Sequence, residues 1–396
     1  MKNSIIIGLI CCAVLPNCKK SESASKAVSI TLTDVTAPEL NGGTTNFEFI
    51  LSLNEASSKP IDLTYSTTEL TARAGEDFIA ANGQTVTIAA GETQKKILIR
   101  VVADDLKEAD EQFSVVLSNV TNATVKKSSA IGKILNDDSK VGFTNDGYDA
   151  PTTYAGYTLS WKDDFDGPAL NTAAWSFQNG DGCPALCGWG NNELEYYTDR
   201  TDNLFFQDGK LIIEAKNELF NNRPYTSSKI ISAGKKSFKF GRIDIRAKLP
   251  KGKGIWPALW LLPQNNVYGG WPTSGEIDLM EMIGHEANRV YGTAHYGQAW
   301  PNNLNKGGNY TLFDGVFNDQ FHVFSIEWKV DQIKWFVDNT LFFTLNKSDV
   351  GTSQYPFNEE FYFIINLAVG GNWPGSPDGT TYFPQWLIVD YVRVYQ

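Results

Sequence analysis

From Val28 onward the apolar residues alternate with polar ones or run in short β-branched and aromatic blocks, and no stretch has the three-to-four spacing of an amphipathic helix. Side chains on an extended chain point to opposite faces in turn. Such a pattern buries one face of a sheet and cannot bury one stripe of a helix. The blocks run from Val28 to Leu32, Phe47 to Leu53, Thr85 to Ile88, Lys96 to Val102 and Phe113 to Leu117. Others follow at Lys210 to Ala215, Gly241 to Ala247, Phe324 to Trp328, Ile333 to Val337 and Phe361 to Leu367. Gly, Pro, Asn and Asp separate them, and Val337 to Leu341 has the make-up of a hairpin turn. The expected fold class is all-β.

The 396 residues exceed one average domain. A break in composition divides them: every tryptophan lies at Trp161 or later, whereas the earlier part is rich in Thr, Val, Ile, Ala and Asp. The break falls in 139–156, a stretch of Gly, Pro, Thr and Asn with no periodic apolar residues, which reads as a linker. Residues 28–138 are then expected to form a β-sandwich of about 100 residues. Residues 157–396, strand-like throughout, are expected to form one large sandwich.

Lys2 and the apolar run Ile5 to Leu15 read as an export signal, residues 1–18, too short to span a bilayer. Leu15 to Cys18 resembles a lipoprotein cleavage box, with Asn17 where a small residue is usual. Lipidated Cys18 would then anchor the mature chain at the cell surface or in the periplasm. The alternative is cleavage near Ala24 to Ala27 and free secretion. Beyond the signal only Cys183 and Cys187 remain. Their spacing could serve half a zinc site, but no second pair completes it. In an exported protein a disulfide is expected, closing a very short loop and stabilising little. A net charge of −11 lacks the basic field that nucleic-acid binding needs. It also repels anionic polymers, so the expected partner is a neutral polymer. The chain is expected to be a monomer that meets a membrane only through the lipid.

The informative run is Glu276-Ile277-Asp278-Leu279-Met280-Glu281. Glu276 and Asp278 share a strand face, whereas strict alternation sends Glu281 to the other. One extra residue, a β-bulge near Leu279 or Met280, returns Glu281 to the first face. Two carboxyl groups flanking a bond are what glycoside hydrolysis requires: one attacks the anomeric carbon or activates water, the other protonates the leaving oxygen. Asp278 between them can hold Glu276, and the charge of Glu276 can raise the pKa of Glu281. The bland reading leaves Glu276 and Asp278 solvated and Glu281 on the outer face, which apolar neighbours disfavour.

Tryptophans flank this run, and flat indoles can stack on sugar rings. Trp256, Trp260, Trp271 and Trp373 are read as cleft residues, with core packing as the alternative for each; Trp175, Trp328 and Trp335 are read as core. His295 is read as a hydrogen-bonding wall residue. No Gly-x-Ser-x-Gly elbow supports a Ser-His-Asp enzyme.

Two resemblances follow. Ala74 to Phe78, Ala90 to Thr93, Asp104 to Phe113 and Gly132 to Asp138 look like a Calx-β domain. The resemblance implies a Ca²⁺ site at Glu39, Asp77, Asp104, Glu108, Glu111, Asp137 and Asp138, with Ala103 where an acid is usual; solvated loop acids are the alternative. Gly188 to Thr198, Tyr225 to Ser227, Lys239 to Pro250, Trp256 to Trp260, the Glu276–Glu281 run and Val389 to Tyr395 resemble glycoside hydrolase family 16, and within it the laminarinases. That implies a β-jelly roll with a concave cleft and a retaining endo-1,3-β-glucanase needing no catalytic cofactor. Glu276 is implied as nucleophile, Glu281 as acid/base and Asp278 as assisting acid. Asn192, Arg246, Trp256, Trp260, Trp271, His295 and Trp373 are implied as substrate-binding, and Asp164, Gly209 and Asp390 as a structural Ca²⁺ site on the convex side. Rival readings are mixed-linkage glucan or an algal galactan as substrate, and a glucan-binding module without catalysis.

Overall fold

The computed structural model describes Met1 and residues 27–396. The proposed signal, Cys18 included, lies outside the described residues apart from Met1. The described residues form strands joined by turns, with three short 3₁₀ segments and no α-helix. Contacts divide the chain into two compact units: Met1–Asp104 with Asp110–Leu135, and Asp105–Ala109 with Asn136–Gln396.

The first unit is a sandwich of a four-stranded and a five-stranded sheet. The long strands Gly43–Leu53 and Gln94–Ala103 pair antiparallel over ten rungs and alternate buried with exposed residues toward their buried ends. Phe47, Phe49, Phe78 and Phe113 fill the space between the sheets, with Phe78 stacked on Phe113 at 4.6 Å between ring centroids.

The second unit stacks a ten-stranded and an eight-stranded sheet around one apolar core. The main path of the smaller sheet runs Ser176–Phe177, Lys229–Ile231, Phe361–Val369, Ile255–Pro263, Glu276–Glu281, Arg289–Gly297 and Asn303–Thr311. Glu276–Glu281 thus lies inside the sheet, paired on both sides. Trp335, from the opposite sheet, crosses the core and donates its Nε1–H to the Asp278 carbonyl at 2.8 Å. Gly292 makes room for it, since a Cβ there would lie 2.5 Å from Trp335 Cδ1. Trp175, Trp328 and Trp335 are all fully buried.

Residues 139–156, read as a linker, are packed on the outward face of the ten-stranded sheet. Val141 and Phe143 cover Phe321 and Ile388, while Tyr148 and Ala150 cover Val323 and Tyr391. Tyr148 N–H donates to the Phe321 carbonyl at 3.0 Å, and Phe321 N–H donates to the Asp146 carbonyl at 2.9 Å. Gly147 between them has φ +116°, and a Cβ there would lie 2.0 Å from the Phe321 oxygen. The covering side chains are unevenly spaced, so no period betrays the segment as structured. The second unit likewise takes 105–109 and 136–138, which lie inside the first domain as bounded from the sequence.

Candidate active site

The bulge falls on the Glu276–Glu281 strand. Asp278 pairs with Thr293 and Glu281 with Tyr291, so three steps on one strand match two on its neighbour. On the other side Met280 pairs with Leu259 and Asp278 with Trp260, leaving Leu279 as the extra residue. Glu276, Asp278 and Glu281 consequently all line one cleft of about 1030 Å³.

Asp278 lies deepest, at 2% exposure, and burial pushes its carboxyl well above the usual range. Burial and then Asp278 push both Glu276 and Glu281 up to about 8. Burial and Asp278, more than the Glu276 charge expected from sequence, therefore set the acidity of Glu281. Hydrogen bonds act the other way: Trp271 Nε1–H donates to Glu276 Oε2 at 2.8 Å, and Trp256 Nε1–H donates to Glu281 Oε1 at 3.2 Å. His295 pairs with Glu276 across the strands, and its Nε2 lies 3.2 Å from Asp278 Oδ2 and 3.7 Å from Glu276 Oε1. At neutral pH the three acids hold fewer than three charges, so proton donor and charged acceptor can coexist.

Aromatic rings wall the cleft. Trp373 stands edge-on to Trp256 and Tyr291, with centroids 5.7 and 5.0 Å away. Trp260 Nε1–H donates to Asn366 Oδ1 at 2.7 Å. One rung of the sheet runs Glu281, Ala258, Asn366, Lys229. Lys229 is buried, 4.2 Å from the Trp189 ring centroid and 5.2 Å from that of Trp260, and burial pulls its ammonium down to about 8 against the pull of Glu193, Glu195 and Glu276. Tyr197 OH donates to Glu193 Oε2 at 3.3 Å and accepts from Asn366 Nδ2 at 3.0 Å. Cys183 and Cys187 are disulfide-bonded, bracing the loop that brings Leu186, Trp189 and Asn191 to the wall.

Trp189, Glu193, Lys229, Trp300, Asn303, Asn305 and Asn366 line the cleft but were not singled out from sequence as site residues. Glu193 sits in the quoted run Gly188 to Thr198, and Lys229 follows Tyr225 to Ser227 by two residues; those runs were the available signal. Trp300, 78% exposed, stands in the turn between two cleft strands.

Two expectations are corrected. Arg246 does not reach the cleft. It lies 3% exposed on the ten-stranded sheet, where its guanidinium donates to Asp390, Asn145 and the Tyr148 carbonyl. The convex-side Ca²⁺ set does not fit either: Asp164 is paired with Lys162 and Arg393, and Asp390 with Lys210 and Arg246, so cationic side chains already occupy the carboxylates. Gly209 neighbours Asp166 instead. Asn192 is exposed at the rim and donates to Asn372, which together with Asn191 lines the wall. Of the Calx-β-type acids, Asp77 and Glu111 of the first unit lie within 4.8 Å of one another, as do Asp137 and Asp138 of the second.

Known proteins match both units of the chain. The sequence profile of the Calx-beta domain matches residues 24–138, and that of glycosyl hydrolases family 16 matches residues 189–386. The chain is 45% identical over 261 residues to glucan endo-1,3-beta-glucosidase A1 of Niallia circulans, covering 61% of this chain but only 38% of that protein. It is 38% identical to a beta-glucanase of Rhodothermus marinus, covering 61% of this chain and 85% of that one. The solved laminarinase catalytic domain of Thermotoga maritima superposes with a TM-score of 0.57 at 45% identity, covering 61% of this chain and 98% of that one. With the bulged acid strand and aromatic cleft already in place, these matches establish that the chain belongs to glycosyl hydrolases family 16.

Proposed function

We propose that this chain is a retaining endo-1,3-β-glucanase acting on laminarin-like glucan. The observation that carries the reading is the single-residue bulge at Leu279, which turns Glu276, Asp278 and Glu281 into one tryptophan-walled cleft. Glu276 is the nucleophile: it accepts the shorter indole hydrogen bond, and His295 Nε2 lies beside its other oxygen, both favouring its charged form. Glu281, whose carboxyl burial and Asp278 push up to about 8, is the acid/base.

In the first step a Glu276 oxygen attacks the anomeric carbon. The glycosidic C–O bond breaks, and the Glu281 proton passes to the leaving oxygen. In the second, Glu281 takes a proton from water, whose oxygen attacks the same carbon and frees Glu276. Asp278, whose carboxyl burial pushes well above the usual range, lies between the two glutamates and assists them. Digestion of laminarin with product sizing and early anomeric NMR tests the reading. Internal cleavage with β product is expected; α product refutes retention, and an intact polymer refutes the substrate. A panel with mixed-linkage glucan and algal galactan separates the rival substrates.

The proposal includes export, with Cys18 lipidated. Radioactive fatty acid should label the wild type, and an unlabelled product refutes the anchor. It also includes Ca²⁺ at the Calx-β-type acids. Asp77 is already oriented, its Oδ2 accepting the Arg73 N–H at 2.7 Å, and clustered carboxylates suit a hard cation. Calorimetry on the full chain should show heat at millimolar Ca²⁺; none refutes it.

A further inference from the structure

Glu276, Asp278 and His295 each offer one ligand atom, and these atoms lie within 4.8 Å of one another; His295 Nε2 faces Asp278 Oδ2 and Glu276 Oε1. The two oxygens are 3.2 and 3.7 Å from the nitrogen. A tetrahedral ion with bonds of about 2.0–2.1 Å to nitrogen and oxygen sets neighbouring ligand atoms roughly 3.3–3.4 Å apart, so the observed spacings bracket the requirement. Asp278 Oδ2 is buried and makes no hydrogen bond, although it points at the imidazole. His295 Nδ1 is buried and unbonded too. The Trp271 indole binds Glu276 Oε2, the oxygen outside this trio, so a ligand on Oε1 need not displace it.

We propose that the substrate-free cleft binds one divalent transition ion of the Zn²⁺ type through Glu276 Oε1, Asp278 Oδ2 and His295 Nε2, and that the ion and glucan exclude one another. Imidazole with two carboxylates suits Zn²⁺ or Co²⁺ better than Ca²⁺ or Mg²⁺, which take oxygen ligands. The fourth position faces the open cleft and would hold water. Coordination needs both carboxylates ionised and Nε2 unprotonated, so binding releases protons to the buffer. The ion occupies the oxygen of Glu276 that faces His295, and a sugar at the cleavage point must displace it.

The test uses the untagged full-length protein without substrate. Zn²⁺ is titrated by calorimetry, and Co²⁺ by the visible absorption of a tetrahedral site. One equivalent is expected, reversed by a chelator. His295→Gln and Asp278→Asn should each weaken it at least about tenfold, since loss of an outer-shell partner alone costs that much, with melting curves confirming that each variant is folded. Binding that is equal in wild type and both folded variants, or no saturable signal, overturns the site. The exclusion arm rests on the glucanase reading: laminari-oligosaccharide should raise the apparent Zn²⁺ dissociation constant, and an unchanged value refutes exclusion. The metal titration needs no turnover, so its failure and the failure of the glucanase reading are separately visible.

Discussion

Glu281→Gln should stabilise this protein, and the gain should depend on pH. In the folded chain the Glu281 carboxyl is raised from 4.5 to about 8, chiefly by burial. Below pH 4.5 both folded and unfolded states carry the proton, and the group contributes no pH dependence. As pH rises from there, the unfolded chain releases the proton while the folded chain retains it, so stability falls by about 1.4 kcal/mol per unit. By pH 7 this amounts to roughly 3 kcal/mol as a ceiling, reduced where cleft water screens the group. Above about pH 8 both states are ionised and the loss levels off. Glutamine never ionises, and its carbonyl can still accept the Trp256 hydrogen bond that Glu281 Oε1 accepts at 3.2 Å. For a unit of this size the ceiling corresponds to roughly 6–12 °C in melting temperature. Calorimetric scans of both proteins from pH 4 to 9 should show a variant-minus-wild-type difference that climbs between about pH 4.5 and 8 and then flattens. A constant difference, or one that shrinks with pH, would refute the claim that Glu281 holds a proton in the folded cleft.

Further outcomes follow from the same geometry. Glu281→Ala should lower laminarin hydrolysis by about 10²- to 10⁴-fold, as loss of an acid/base group demands, while the Calx-β-type unit keeps its own melting transition; full activity would end that assignment. Glycosidase activity should decline on the alkaline side near pH 8, where Glu281 loses the proton it must donate; a flat pH profile to 10 would contradict its role. Trp300→Ala should leave melting unchanged, because the ring is 78% exposed, and should raise KM for polymer about 3- to 10-fold by removing roughly 1 kcal/mol of stacking contact; an unchanged KM would remove Trp300 from the binding surface.

What the sequence made legible follows from range. Glu276, Asp278 and Glu281 are near neighbours in the chain, so alternation plus one bulge suffices to place them. Phe47 and Phe49 alternate, so their shared face is readable too. Lys229 was not readable, because its place depends on pairing with Asn366, whose next partner is Ala258, whose next is Glu281. No local pattern encodes a rung drawn from four distant segments. Arg246 failed for the same reason in reverse: its strand alternates like the others, but it belongs to the ten-stranded sheet, and its outward face meets Asn145, Tyr148 and Asp390 rather than substrate. The 139–156 segment was misread because its apolar contacts lack a period.

The bulge also explains an oddity that is visible in the sequence alone. Leu279 and Met280 are adjacent, yet both are buried and both belong to the core of the second unit, as Ile277 does. A regular strand would send one of them to the cleft face among the acids. The extra residue lets both go inward, so the step that turns Glu281 into the cleft also secures two core side chains behind it. Trp335 adds to this from below, binding the Asp278 carbonyl at the start of the bulge. Reversing the register would therefore expose an apolar side chain among the carboxylates and bury a glutamate in the core at once. Leu→Ala in such cores costs about 2–5 kcal/mol, and an unpaired buried carboxylate costs several more. Both penalties oppose the slip, so the catalytic alignment is held by the packing of its own strand rather than by the acids, whose burial works against it.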